Sequence, residues 1–178
     1  TTTQIQAMET LDLAAMSIEN LTALSTAQLQ ALTSTQIAGL STKQVYEFYT
    51  SSVSLLTTKQ IAALETRDVV VLTFENLAVL SSSQVKALNT AQVAAFTSTQ
   101  ISGLNTAVVS SFTTKQLLTL DSTKLNLLDI ASVAALTSSQ LMGLSTTQIA
   151  GLSNSTFEGL STGSVSALIV AQISALTT

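Results

Sequence analysis

The sequence predicts an all-α fold, a solenoid or superhelix of very short helices with one helix per 8-residue repeat, and three observations carry that prediction. Large apolar residues recur in two unbroken columns, a capping residue follows the first column, and a Gln stands three residues after the cap in most repeats. A period this short and regular marks a solenoid whose units contact mainly their neighbours.

The first column takes every eighth residue from Met8 through Leu40, Leu64 and Phe96 to Leu176, and none of its members is polar. The second stands five residues later, from Leu13 through Val45 and Ile101 to Ile173, and is equally apolar. We number the octad so that the first column is position 1 and the second is position 6. Position 2 is then Ser, Thr, Asn or Asp, the best N-cap residues, except at Glu9, Tyr49, Glu65 and Ile169. Gln at position 5, as in Gln36, Gln60, Gln92 and Gln148, completes a capping box, in which the cap and the Gln each satisfy the other's backbone N–H. From this start the spacing predicts a helix running through position 8 into the next apolar residue, about two turns. Position 8 is mostly Ala or Gly, and Gly39, Gly103, Gly143, Gly151 and Gly159 all fall there, where the chain bends or another backbone approaches closely.

One continuous helix fails on geometry. Eight residues advance about 800°, or about 80° past two full turns, so the apolar stripe would spiral around a rod and form no seam. A β-solenoid is the alternative, because Thr, Val and Ile are plentiful. Against it, the apolar spacing alternates three and five where a half-buried strand alternates by two, and Gln, Ala and Leu favour helices. Residues 1–178 therefore read as a single continuous repeat array. A second, 56-residue period lies inside it: METLDLAAMSIENL at 8–21 aligns with LETRDVVVLTFENL at 64–77. It defines superunits 8–63, 64–119 and 120–175. Such a period arises if three and a half octads make one coil, so that seven octads close two, or it records a history of duplication. Burying two side chains per octad falls short of the entropy cost of ordering eight residues, so a lone octad cannot fold and the ends of an array stay apolar.

Composition narrows the functional classes. Only 9% of residues are charged against about 25% in ordinary soluble domains, so Ser, Thr, Gln and Asn are expected to supply the wet surface. The net charge of −4 includes no basic run, which argues against nucleic acid and against an anionic membrane surface. No apolar run reaches the ~18 residues of a membrane span. Thr1 falls inside an octad and Thr178 just after one begins, so a segment of a longer array is expected.

With no Cys and no His, the thiolate ligand, the commonest general base and the commonest metal ligand are all missing. The many Ser and Thr occupy periodic cap positions with no base beside them, so no enzyme is expected and no catalytic or cofactor-binding residue is assigned. Glu9, Asp12 and Glu19 recur as Glu65, Asp68 and Glu75, and three carboxylates in one neighbourhood are weak candidates for calcium. An acid at a helix start is favoured by the helix dipole in any case. The third superunit carries Asp121, Lys124 and Ala131 at the matching places, with Asp129 as an extra acid, so no metal or other cofactor is assigned. Lys43, Lys59 and Lys115 in TKQ triplets point to water on this reading, and the aromatic run YEFY at 46–49 is a tolerated irregularity before it is a lateral contact site.

The motifs LTSTQIAGL at 32–40 and LSTTQIAGL at 144–152 resemble the Thr/Gln/Leu-rich octapeptide arrays of large secreted bacterial surface proteins, adhesin-like and type I secretion-like. The resemblance covers the whole chain. It implies an extracellular or cell-surface location and a structural or adhesive role, with no catalytic residues to carry over. The expected function is a structural repeat protein, a subunit or segment of an extracellular filament, surface layer or giant adhesin. Its expected partner is itself, as an end-to-end or lateral homopolymer, with cell-surface glycans as further partners. The alternative is a carbohydrate-, ice- or surface-binding module that uses regularly spaced Ser, Thr and Gln.

Overall fold

A computed structural model describes residues 1–47 and 50–176. Phe48 and Tyr49 of the aromatic run lie outside the described residues. The described chain contains 22 helices, from Thr2–Ala7 to Val170–Ala175, each four to six residues long and one per octad. No strand occurs among the described residues, which overturns the β-solenoid alternative.

The octad that starts at Leu80 shows why each helix begins and ends where it does. Ser81 is extended (φ −67°, ψ 158°), its Oγ accepts the Gln84 N–H at 3.3 Å, and Gln84 Oε1 accepts the Ser81 N–H at 2.8 Å. This capping box nucleates the helix Ser82–Ala87. Leu88 then leaves the helical region (φ −60°, ψ 130°), because the next cap, Asn89, must itself be extended. The helices therefore stop at positions 6 to 8 and never take in the next apolar residue. That corrects the expected two turns: a cap every eight residues claims positions 1 and 2 for extended backbone. The departures at position 2 behave as their chemistry dictates, since the Glu9, Glu65 and Ile169 side chains make no cap hydrogen bond.

Helices this short are unstable alone, and packing holds them. The helix Ser82–Ala87 packs on Thr58–Ala63, three helices earlier, and on Thr106–Ser111, three helices later; Phe74–Ala78 also touches Thr106–Ser111, four helices on. A neighbour between three and four octads away makes a wound coil. Both apolar columns line its interior: Ile37, Leu40, Val45, Ile61, Leu77, Val93, Phe96 and Ile101 are all buried, and the Phe96 and Phe112 rings stand 6.3 Å apart. Met8, Met16 and Leu24 of the first coil are half-buried, whereas in the last coil the position 6 residues Phe157 and Val165 are half-buried and Ile173 is exposed. Position 1 is thus covered by the coil before it and position 6 by the coil after.

The glycines at position 8 serve close approach. No described residue has positive φ. A Cβ on Gly103 would lie 2.6 Å from Phe74 Cβ, and one on Gly143 would lie 2.6 Å from Thr114 Cγ2. The approaching group in each case is a side chain of the previous coil, 29 residues back.

Candidate functional site

The polar feature that organises the molecule is a ladder of buried glutamines at position 5. Gln36, Gln44, Gln60, Gln84, Gln92, Gln100, Gln116, Gln140, Gln148 and Gln172 are all buried. This overturns the expectation that Gln shares the wet surface with Ser and Thr. Its cause is that one amide performs two tasks. Oε1 accepts the N–H of the octad's own cap, and Nε2 reaches into the previous coil. Gln92 Oε1 accepts the Asn89 N–H at 2.7 Å, while Nε2 donates to Ile61 O at 2.9 Å and Leu64 O at 2.6 Å. Gln116 repeats this on Thr113, Val85 and Leu88, and Gln148 on Ser145, Leu117 and Leu120.

The acceptors stand 31 and 28 residues before the Gln in every case, at positions 6 and 1 of the octads below. An offset of 28 residues is three and a half octads per coil. The two apolar columns thereby supply the core with side chains and the ladder with carbonyls. Where position 5 is not Gln, the rung changes. Ser132 Oγ donates to Leu104 O at 3.1 Å, Ser164 Oγ to Leu136 O at 2.7 Å, and Lys124 Nζ to Ala94 O at 2.6 Å. Val108 has no donor, and Asn105 Nδ2 reaches Ala78 O at 3.0 Å from the cap position instead.

The sequence-predicted acids scatter. Glu9, Asp12, Glu19 and Glu75 are exposed, and among the described residues no three metal-ligating side chains form a group that could hold an ion. The Glu65 and Asp68 carboxylates flank Arg67, whose Nε lies 2.8 Å from Glu65 Oε2 and 3.7 Å from Asp68 Oδ1. Burial pushes the Asp68 carboxyl above its ordinary range, against the lowering influence of the Glu65 N–H and the Arg67 charge. Asp121 and Asp129 are N-caps, accepting from Lys124 N at 2.8 Å and Ser132 N at 2.6 Å. Lys43, Lys59 and Lys115 are exposed.

Sequence reasoning found the capping half of the ladder and missed the half that crosses coils. The signal was present: Glu completes a capping box as well as Gln does, yet no position 5 residue is Glu. A carboxylate cannot donate, and the second task requires donors. On the surface, Tyr46, Val70 and Phe74 line a shallow, mostly apolar groove with Thr97 and Thr99. No helix among the described residues is long and apolar enough to cross a membrane.

The ALTTAQ repeat family matches residues 5–42, 61–98 and 69–106, in tandem over just under half of the chain. The chain is similar to these repeats, in keeping with the short-helix solenoid, and is a repeat protein. A comparison with curated proteins finds no match.

Proposed function

We propose that this repeat protein is a structural, non-catalytic segment of an extracellular filament, surface layer or giant adhesin. The observation that carries the reading is the ladder: buried polar groups are spent on fastening each coil to the one before it, in the same way along the chain. Position 2 hydroxyls serve as caps, as Thr97 does for Gln100 N and Ser145 for Gln148 N. On this reading the 56-residue superunits 8–63, 64–119 and 120–175 each hold two coils of 28 residues.

Each rung joins an amide at position 5 to backbone carbonyls at positions 6 and 1, groups that every coil carries, so a coil of a second copy can be fastened by the same chemistry. Electron microscopy of the purified protein tests the reading. Ordered fibres that lengthen with concentration are expected, and rods of one length at every concentration would count against assembly.

A second reading, the carbohydrate-, ice- or surface-binding module, is favoured by one observation. Ser34, Thr35, Thr42, Thr58, Ser82, Ser83, Thr90, Ser98 and Thr99 form a periodic, exposed array of hydroxyls. Its Gln component is withdrawn, because those amides are buried. Retention of monodisperse rods on glycan columns or on ice would favour this reading over assembly.

A further inference from the structure

Position 68 keeps the ladder's place and changes its chemistry. Asp68 is the position 5 residue of its octad and is fully buried at 0% exposure. Its Oδ2 accepts the Glu65 N–H at 3.2 Å, the bond that Oε1 accepts in a glutamine rung. Oδ1 is therefore left on the side where the other rungs carry their NH2, and Oδ1 has no hydrogen-bond partner. Counting back by the ladder's offsets of 31 and 28 residues, the carbonyls of this rung belong to Ile37 and Leu40, and neither receives a side-chain donor among the described residues. An ionised carboxylate only accepts, so it sets lone pairs against lone pairs here; a protonated one donates.

We propose that Asp68 is a protonatable rung: in acid its Oδ1 carries a proton and donates it to the carbonyl of Ile37 or Leu40, and loss of that proton loosens the junction between the two coils. The proton is taken from solvent and returned to it, and no bond between heavy atoms changes. The sign follows from burial, which raises the carboxyl above its ordinary range. A group whose value is raised on folding contributes stability that is fully present below its unfolded value and is lost as the pH rises through the folded one.

Few other charges bear on the site. Arg67 sits 59% exposed and is held by Glu65 at 2.8 Å, while its Nε stays 3.7 Å from Asp68 Oδ1, beyond hydrogen-bond distance. The helix Thr66–Val71 packs on Thr42–Tyr46, which supplies the exposed Lys43 and Tyr46, and on Thr90–Ala94, which supplies no ionisable residue. Glu47 is half-buried at the end of Thr42–Tyr46, and the sequence neighbours Lys59 and Glu75 are exposed.

The test is chemical unfolding of the full chain as a function of pH, in the unmodified protein and in Asp68→Gln and Asp68→Asn. Both variants supply an amide donor at any pH. At neutral pH their midpoints are expected to lie above that of the unmodified protein, and the gap is expected to narrow as the pH falls and Asp68 takes up its proton. Carbon-13 NMR of the Asp68 carboxyl should show it titrating above the ordinary carboxylate range. A gap that stays constant with pH, or a carboxyl that titrates at or below that range, overturns the proposal. Should Asp68→Gln prove too long for the site, the Asp68→Asn curve and the titration decide alone.

Discussion

Replacing Gln92 by Met isolates what one rung contributes. Met is unbranched and close to Gln in length, so the site stays filled while every polar contact is removed. Three hydrogen bonds go: Asn89 N–H to Oε1, and Nε2 to Ile61 O and Leu64 O. The three acceptors and donors do not suffer alike. Ile61 O keeps the Leu64 N–H at 3.2 Å, and Asn89 is exposed, so water reaches it. Leu64 is buried at 3% exposure, and its carbonyl loses its amide partner outright. An orphaned buried carbonyl costs about 1–3 kcal/mol and each of the other two bonds about 1 kcal/mol, for a total near 4 kcal/mol before roughly 1 kcal/mol is regained from the more apolar side chain. The expected loss is therefore about 3 kcal/mol, read from the midpoint and slope of urea unfolding. Amide hydrogen exchange should show the loss concentrated in the coils that hold residues 61–64 and 89–92. A cost below about 1 kcal/mol, or one spread evenly over the chain, would refute the reasoning.

Other substitutions test the remaining parts of the octad. Gly103→Ala forces a methyl to 2.6 Å from Phe74 Cβ and should cost about 1–3 kcal/mol by overpacking, whereas Gly163→Ala meets nothing within 4 Å and should gain about 0.5–1 kcal/mol from helix propensity; thermal unfolding of the pair distinguishes space from conformation. Ile169→Thr replaces a half-exposed side chain that makes no cap bond with one that can, and should stabilise the chain by about 1 kcal/mol in denaturant unfolding. Phe96→Ala opens the core at the Phe112 contact and should cost about 3–5 kcal/mol, with the greatest loss of exchange protection in the neighbouring coils.

The octad was legible because its signals are local. The alternation of three and five between Leu32, Ile37 and Leu40 argued against a strand, and Thr33 with Gln36 placed the helix start to the residue. The helix end was less legible: the Thr33 box marks where a helix begins, but only the joint demand of Leu40 and Ser41 for extended backbone fixes how early it stops. Burial of Gln36 was not legible from polarity, since Gln is ordinarily a surface residue. Its partners, Ile5 O and Met8 O, are backbone groups that every sequence possesses, so no side chain announces them. Asp68 shows the same limit. Its recurrence with Asp12 suggested shared calcium ligation, yet Asp12 is exposed and Asp68 is buried at a coil junction, a difference that the local sequence around the two acids does not display.

The central claim is that the chain winds with 28 residues per coil, each coil hydrogen-bonded to the one before. Ser82 and Ser111 test it directly, because their Oγ atoms meet at 2.8 Å across the junction, 29 residues apart, in a chain with no cysteine of its own. The double variant Ser82→Cys with Ser111→Cys should oxidise readily to an intramolecular disulfide, while Ser82→Cys with Ser110→Cys, whose second residue faces solvent, should not. Equal oxidation of both pairs, or none in the first, would contradict this winding.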